Sequence, residues 1–291
     1  MVRQQVPRLP SAAVLLESDI PSSFLLPICS LLTNAVRVEY ISSMSTRNPF
    51  EARDVTSRRG GPVKKPLSRD AIVTVALDLL TREGLEGMSL RKVAAALETG
   101  PASLYAYVDD LRELQTLVFD RALADVTIPR EPLRDWRSRL ASLLESYITI
   151  LARSSGLAQL AMNTIAAGPN ALRIIEALLC LLDEAGVDQS TAAWAADLLS
   201  LYATAIAAEQ SHRKENGDPL GPLVRMLGSV SQPEFPRIHA SREQLVSGQG
   251  LERFDWAIEV LLKGVLQTPR QSHDGSVSPV EKGSHRRARH A

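Results

Sequence analysis

The stretch at residues 89–108, SLRKVAAALETGPASLYAYV, restricts the possible folds of this chain more than any other part of its sequence. It begins as an amphipathic helix for which Ser89 is a suitable N-cap. The positions expected to be buried on this helix are Leu90, Val93, Ala94 and Leu97. The helix breaks at Gly100-Pro101, and a second helix is predicted from Pro101 to Val108. Two short helices joined by a tight turn are typical of a helix-turn-helix, whose second helix enters the major groove of DNA.

Two tyrosines lie on this second helix. Leu104 and Val108 are predicted to form its buried stripe, which leaves Tyr107 on the solvent side and Tyr105 at the edge. A tyrosine ring can lie against a thymine methyl group while its hydroxyl donates to a phosphate. The alternative is that either ring caps the small core of the domain.

The rest of the chain also indicates helices and loops, since leucine and alanine recur at helical spacing and aromatic residues make up only 4%. A helix is predicted to begin after the N-cap Ser68 and to stop at Gly84, and a D-x-x-E capping box at Asp110 and Glu113 predicts another through about Asp125. Longer helices are predicted at 135–153, 157–164, 170–185, 190–214 and 252–267. The glycines and prolines of 217–240 predict a long loop.

The overall charge excludes a chain that binds nucleic acid through its net charge, because 33 basic and 33 acidic residues cancel. Residues 45–67 nevertheless hold six basic and two acidic residues, a net charge of +4. This stretch is interpreted either as a solvated linker or as an arm that contacts phosphates or a minor groove. The expected arm contacts are Arg58, Arg59, Lys64 and Lys65.

Residues 1–67 differ from the rest of the chain. Their apolar run at 22–36 is short and broken by Pro27, and Glu17 and Asp19 precede it, which disfavours a secretory signal. A poorly ordered extension and a true start at Met44 both stay open. Two cysteines without CxxC spacing indicate a reducing cytosol and no structural metal.

Several motifs of the chain occur together in one known family. They are a first helix ending in REG, then SLRKVAAAL, PASLYAYV and ELQTLVF, all between Leu67 and Val126. This region resembles the TetR family of bacterial transcriptional regulators. Farther along, DWRSRLASLL, GPNALRIIEALLCLLDEAG and FDWAIEVLLKGVL resemble the ligand-binding domain of the tetracycline-repressor branch.

The resemblance implies an all-α protein, with a three-helix helix-turn-helix domain at 67–126 and a larger helical ligand-binding and dimerisation domain at 127–268. An N-terminal extension at 1–66 and a disordered basic tail at 269–291 are expected to flank them. The implied function is that of a cytoplasmic homodimer that binds a palindromic operator in double-stranded DNA and is released by a small molecule. A transcriptional activator of the same fold, and a small-molecule-binding protein that does not bind DNA, remain as alternatives.

Residue by residue, the resemblance implies a base contact by Arg91. It also implies recognition-helix contacts by Pro101, Ala102, Ser103, Tyr105, Ala106 and Tyr107. The alternative for Arg91 is a surface ion pair. Many members of the family hold a phosphate with a lysine where this chain has Leu111, preceded here by Asp109 and Asp110. Six basic and ten acidic residues give 68–125 a net charge of −4, so the arm is expected to supply more of the phosphate affinity than is usual.

The positions that hold tetracycline and magnesium in relatives align with Leu143, Met162, Ile165 and Leu178, which are all apolar. The resemblance therefore implies a mainly apolar effector, without a cofactor or metal. Further expected pocket walls are Tyr147, Trp194 and Tyr202. The alternative for each residue is ordinary core packing.

The apolar helix predicted at 190–214 is long enough to raise the question of a membrane span, but Asp197 and its amphipathic flanks disfavour one. With FDWAIEVLLKGVL, it is expected to form a four-helix bundle across a two-fold axis. An enzyme is disfavoured because the sequence contains no glycine-rich phosphate loop, no GxSxG and no HExxH.

Overall fold

The computed structural model describes residues 48–51, 67–130, 135–217, 220–248 and 252–270. Within these ranges every regular element is helical, which confirms the predicted all-α class. The α-helices in chain order are α1 (Arg69–Glu83), α2 (Leu90–Ala96), α3 (Pro101–Leu104), α4 (Leu111–Leu123), α5 (Trp136–Leu151), α6 (Ser155–Asn163), α7 (Pro169–Glu184), α8 (Gln189–Asn216), α9 (Leu220–Gly228), α10 (Pro236–Val246) and α11 (Glu252–Gln267). A single 3₁₀ turn, Leu85–Gly87, connects α1 to α2.

Side-chain caps fix the starts of the first helices where the sequence predicts them. The Ser68 hydroxyl accepts from the Ala71 N–H at 3.1 Å, and the Ser89 hydroxyl accepts from the Lys92 N–H at 3.3 Å. Gly84 ends α1 with a φ of +73°, a left-handed conformation that costs a glycine little. These caps satisfy backbone groups that the helix itself cannot pair.

The prediction of a loop at 217–240 is wrong, because α9 and α10 occupy much of it. Two of its prolines lie in the first turn of a helix instead of breaking one. Pro236 is the first residue of α10, and Pro222 lies in the first turn of α9. A first-turn residue has no helical partner for its N–H, so proline is accepted there without loss of a hydrogen bond.

The chain divides into two compact units. The first consists of residues up to Asp125 with Ile148–Leu172 and Thr204–Gly217, and the second consists of Val126–Tyr147, Arg173–Ala203 and the residues from Asp218 onward. The first unit therefore includes segments that the sequence analysis assigned to the second domain. One cause is the close approach of α6 to the end of α1, where a Cβ atom added to Gly156 would lie 2.7 Å from the Leu80 carbonyl oxygen.

Inside the first unit, a buried carboxylate joins α4 to the first turn of α7. Asp120 is 5% exposed, and its Oδ1 accepts from the backbone N–H groups of Asn170 at 2.9 Å and Ala171 at 3.0 Å. Its Oδ2 accepts from the Asn170 side-chain amide at 2.9 Å. The negative charge lies at the end of α7 where the helix dipole is positive, so the contact is favoured by charge and by hydrogen bonding.

The second unit has an aliphatic core that includes Leu143, Leu178 and Leu199, all fully buried. Phe254 of α11 stacks on Tyr202 of α8, with ring centroids 6.4 Å apart. Asp188 lies just before the first residue of α8. Hydrogen bonds from Thr191 and Ser190, in the first turn of that helix, lower the pKa of Asp188 to about 2. The carboxylate therefore stays charged and caps α8 across the physiological pH range.

One helix among the described residues, α8, is long and apolar enough to cross a membrane by length and composition alone. This is weak support for a span, since the core helix of a folded domain passes the same test. In this chain 44% of the relevant window of α8 is buried within the fold.

We predict that Asp120→Ala destabilises the chain, because it leaves three donors in the first turn of α7 without their acceptor. Urea unfolding should show a loss of about 2 to 3 kcal/mol in the free energy of unfolding. Asp125→Ala is the matched control, because it removes only the exposed pair with Arg153 and should cost less than about 1 kcal/mol. Equal losses in the two variants would contradict this account.

Candidate DNA interface

The turn before α3 is made by Glu98. This residue has a φ of +51°, in the left-handed region that usually favours glycine. The Thr99 N–H donates to the Ala94 carbonyl at 2.9 Å and the Glu98 N–H donates to the Ala95 carbonyl at 3.0 Å, which is the Schellman pattern for ending α2. Gly100 is extended, so the chain reverses direction and α3 begins at Pro101.

The helix predicted from Pro101 to Val108 is shorter in the structure and ends at Leu104. Residues 105–107 form a turn, in which the Tyr107 N–H donates to the Leu104 carbonyl at 2.8 Å. The Tyr107 carbonyl accepts from the Arg69 side chain at 3.3 Å, so this carbonyl has a tertiary partner. Leu104 and Val108 are fully buried, as predicted. We call residues 101–107 the recognition segment.

The outward face of the recognition segment is open to solvent. Its exposed residues are Pro101, Ala102, Ser103, Tyr105 and Ala106. The predicted order of the two tyrosines is wrong, because Tyr105 is 55% exposed whereas Tyr107 is half-buried. The helix ends at Leu104, so Tyr107 does not follow the 100° spacing on which that prediction depends.

Arg91 is exposed in the first turn of α2. Across the described ranges it has no ion pair, whereas its neighbour Lys92 pairs with Glu83 at 2.9 Å. The surface ion pair considered as the alternative for Arg91 is therefore not found in this part of the chain. The guanidinium is available for an external acceptor.

The N-terminus of α4 is already occupied by carboxylates of the chain. Asp110 Oδ1 accepts from the Glu113 N–H at 2.8 Å, and Glu113 Oε2 accepts from the Asp109 N–H at 2.5 Å. The first half of the predicted capping box is present, since the N-cap Asp110 accepts from Glu113, whereas the Glu113 side chain accepts from Asp109, one residue before the N-cap. A phosphate approaching this helix end would have to compete with the bound carboxylates.

Arg69 is a structural residue of this region that the sequence analysis missed. Its guanidinium donates to the Tyr107 carbonyl and contacts Glu113 Oε1 at 3.4 Å. It also donates to the carbonyls of Pro49 at 2.7 Å and Glu51 at 2.8 Å. No local motif indicates these partners, since they lie 18 to 44 residues away in sequence. The predicted arm contacts Arg58, Arg59, Lys64 and Lys65 lie outside the described residues.

The predicted effector-site residues fall in both units. Met162 and Ile165 belong to the first unit, and Leu143, Tyr147, Leu178, Trp194 and Tyr202 belong to the second. Leu143, Tyr147 and Leu178 are buried, and Tyr202 is half-buried.

Two of these residues are exposed instead of enclosed. Ile165 is 37% exposed and Trp194 is 62% exposed. The Arg270 guanidinium lies 4.1 Å from the centre of the Trp194 ring, so this ring takes part in a surface cation–π contact. The expectation that Ile165 and Trp194 line an enclosed cavity is therefore contradicted within a single chain.

A shallow groove of about 200 Å³ lies between α5 and α11 of the second unit. It is lined by Arg137, Ser138, Ala141, Asp255, Ile258, Glu259 and Leu262, and by none of the predicted effector-site residues. Partial burial and the nearby charge of Asp255 raise the pKa of Glu145 on α5. Over the described ranges, no cluster of His, Cys, Asp and Glu is suited to hold a metal ion.

Residues 128–268 match the family model described as tetracyclin repressor-like, C-terminal domain. The chain is 29% identical over 221 residues to the HTH-type transcriptional repressor DrrR1 of Streptomyces coeruleorubidus, covering 72% of this chain and 82% of that protein. It is 30% identical over 208 residues to an HTH-type transcriptional regulator of Saccharopolyspora erythraea, covering 70% and 87%.

The fold is also similar to the crystal structure of apo ActR from Streptomyces coelicolor. The TM-score is 0.65 with 34% sequence identity, over 70% of this chain and 97% of ActR. Over the described residues, the chain combines an exposed helix-turn-helix with a second helical unit, as helix-turn-helix transcriptional regulators do. The chain belongs to the TetR family of transcriptional regulators.

We predict that the capping interaction at α4 is worth about 1 kcal/mol, so Asp110→Ala should lower the free energy of unfolding by about 0.5 to 2 kcal/mol. Asp110→Asn is the matched control. Asparagine keeps a side-chain oxygen for the Glu113 N–H, so its stability should stay close to that of the wild type. Chemical denaturation monitored by circular dichroism measures both, and an equal loss in Asp110→Asn would show that charge matters here more than capping.

Proposed function

We propose that the protein is a repressor that binds a palindromic operator as a homodimer and is released by a small, mainly apolar molecule. The observation that carries the DNA-binding part is the recognition segment. Leu104 and Val108 hold it against the core, while its opposite face is open to solvent. A short helix presented in this way by a helix-turn-helix fits the major groove.

We assign base and backbone contacts to the side chains that this arrangement leaves accessible. Arg91 has no ion pair among the described residues, and a guanidinium is the commonest reader of guanine. Tyr105, the more open of the two rings, is suited to a thymine methyl group with its hydroxyl on a phosphate. The remaining contacts in this proposal are Pro101, Ala102, Ser103, Ala106 and the half-buried Tyr107.

Phosphate affinity is expected to depend on the arm. The region 68–125 has a net charge of −4, and the carboxylates of Asp110 and Glu113 occupy the end of α4. The basic stretch 45–67, with a net charge of +4, compensates for this charge in the sequence. We therefore assign phosphate contacts to Arg58, Arg59, Lys64 and Lys65.

Exposed aromatic residues on α8 and α11 support homodimer formation. Trp194 is followed one turn later by the exposed Leu198, and Trp256, which is 70% exposed, is followed one turn later by the exposed Val260. Each pair forms an apolar stripe on one helix face, which in water favours burial against another protein surface. A second copy of the chain would bring α8 and α11 of both subunits into a four-helix bundle, and such a two-fold dimer suits a palindromic site.

The relatives support repression and release by a ligand. DrrR1 is named a transcriptional repressor, and ActR has been crystallised in complex with actinorhodin and with (S)-DNPA. We place the effector among the apolar residues Leu143, Tyr147, Leu178 and Tyr202. A function in the cytoplasm, without catalysis, follows from this proposal.

The DNA-binding proposal is tested by selecting duplexes from a random pool with the full chain. We expect enrichment of a palindromic sequence. Arg91→Ala should then cost about 1 to 3 kcal/mol of binding free energy and relax the preference at one base pair of each half-site. Arg82→Ala, which removes an exposed arginine of α1 paired with Asp78, is the control and should bind as the wild type does. Unchanged binding by both Arg91→Ala and Tyr105→Ala would reject this docking.

The effector proposal makes a separate prediction. Tetracycline with magnesium should leave the operator complex intact, because apolar side chains stand at the aligned positions, including the fully buried Leu143 and Leu178. A ligand can shift the equilibrium only by binding the DNA-free state more tightly. Fluorescence anisotropy of labelled operator measures release, with a tetracycline repressor assayed in parallel as positive control. Release at micromolar drug would show that the alignment of the site is wrong.

A further inference from the structure

A short segment upstream of α1 is joined to the recognition segment through the side chain of Arg69. Residues 48–51 form a turn in which the Glu51 N–H donates to the Asn48 carbonyl at 3.3 Å and the Phe50 N–H donates to the Asn48 side-chain oxygen at 3.0 Å. Asparagine stabilises such turns through its own side chain. We call this segment, Asn48–Glu51, the strap.

One guanidinium binds the strap and the recognition segment together. Arg69 Nη1 donates to the carbonyl oxygens of Pro49 at 2.7 Å and Glu51 at 2.8 Å. Its Nε donates to the Tyr107 carbonyl at 3.3 Å. Because the donors of a guanidinium lie in one rigid plane, the strap and Tyr107 are held in a fixed relation to each other.

The strap is also held through the side chain of Phe50. A Cβ atom added to Gly168 would overlap both the Phe50 ring and the Asp120 carboxyl group, so ring, glycine and carboxylate are in close contact. The same carboxylate accepts three hydrogen bonds from the first turn of α7. The half-buried Phe50 therefore lies against the junction of α4 and α7, while Arg69 holds the strap backbone at Tyr107.

We infer that the strap is part of the DNA-reading apparatus, and that Arg69 and Phe50 are positioning residues for the recognition segment. The strap fixes the position of Tyr107 relative to α4 and to the first turn of α7. Loss of the strap therefore leaves the recognition segment less rigidly positioned for the major groove, without removing a contact to DNA. This inference rests on the proposed function, since it requires that the recognition segment binds an operator.

Two truncations of the full chain separate the strap from the four predicted arm contacts, Arg58, Arg59, Lys64 and Lys65. Removing residues 1–43 leaves the strap in place, and removing residues 1–51 deletes the strap but retains Arg53, Arg58, Arg59, Lys64 and Lys65. The difference between them, residues 44–51, contains one arginine and one glutamate and has no net charge. We expect the shorter truncation to bind as the wild type does. The longer one should bind the selected operator about tenfold more weakly, since hydrogen bonds to a charged group are lost.

The salt dependence distinguishes positioning from phosphate contact. The slope of log affinity against log salt should be unchanged in the longer truncation, because the four predicted phosphate contacts Arg58, Arg59, Lys64 and Lys65 are retained. Arg69→Lys and Phe50→Ala should reproduce its weaker binding, and Arg82→Lys and Phe235→Ala are the matched controls. The urea unfolding curve of each variant identifies buffer conditions under which all variants are folded. Operator binding is then compared under those conditions.

A double-mutant cycle tests whether the strap acts through Tyr107. Phe50→Ala and Tyr107→Ala should be non-additive in operator affinity, whereas Phe50→Ala and Arg91→Ala should be close to additive. Equal affinity of the two truncations, or additivity of Phe50 with Tyr107, would overturn the inference. A full chain that enriches no duplex would overturn the proposed function, and the strap inference with it.

Discussion

A four-residue helix has too few internal hydrogen bonds to persist alone, so α3 exists only because tertiary contacts hold it. Two of these contacts are the buried side chains of Leu104 and Val108. A third is the hydrogen bond from the Arg69 guanidinium to the backbone carbonyl of Tyr107. The outward face of the recognition segment is defined by what is buried behind it. The same contacts explain why Tyr105, instead of Tyr107, is the more exposed ring.

Electrostatics makes the helix-turn-helix of this chain a weak attractor for DNA by itself. Between residues 68 and 125 acidic residues outnumber basic ones, and two of the acids occupy the end of α4. An acidic reader suppresses non-specific binding, since such binding depends mostly on phosphate neutralisation. Under the proposed function, specific affinity comes from base contacts, from the arm and from a recognition segment whose geometry is fixed before DNA binds.

Two buried or half-buried anchors connect distant parts of the first unit. Asp120 accepts hydrogen bonds from the first turn of α7. Arg69 donates to backbone carbonyls of the strap and of Tyr107. Both are charged groups that bind backbone groups from distant parts of the chain, so a displacement of these partners leaves a polar group unpaired. Contacts of this kind resist gradual deformation, which is a useful property where a regulator has to hold or release a reading helix.

The sequence by itself determined the all-α class, the buried stripe of α3, and the caps at Ser68, Ser89 and Asp110. Each of these features depends on residues within about one or two helical turns of each other. The types of residue at those positions along the sequence are therefore enough to predict it. The spacing in SLRKVAAAL and PASLYAYV indicated the helix-turn-helix, and the resemblance of these motifs to known sequences indicated the TetR family.

Only the tertiary structure decided the end of α3 at Leu104, the helices within 217–240 and the exposure of Trp194. It also decided the roles of Arg69, Asp120 and Phe50. Prolines that indicate a break in a linear sequence lie in the first turns of α9 and α10, because the first turn of a helix tolerates a missing N–H. The partners of Arg69 and Asp120 lie up to 51 residues away in sequence. No local pattern encodes a contact at that separation, since it forms only when the chain has folded.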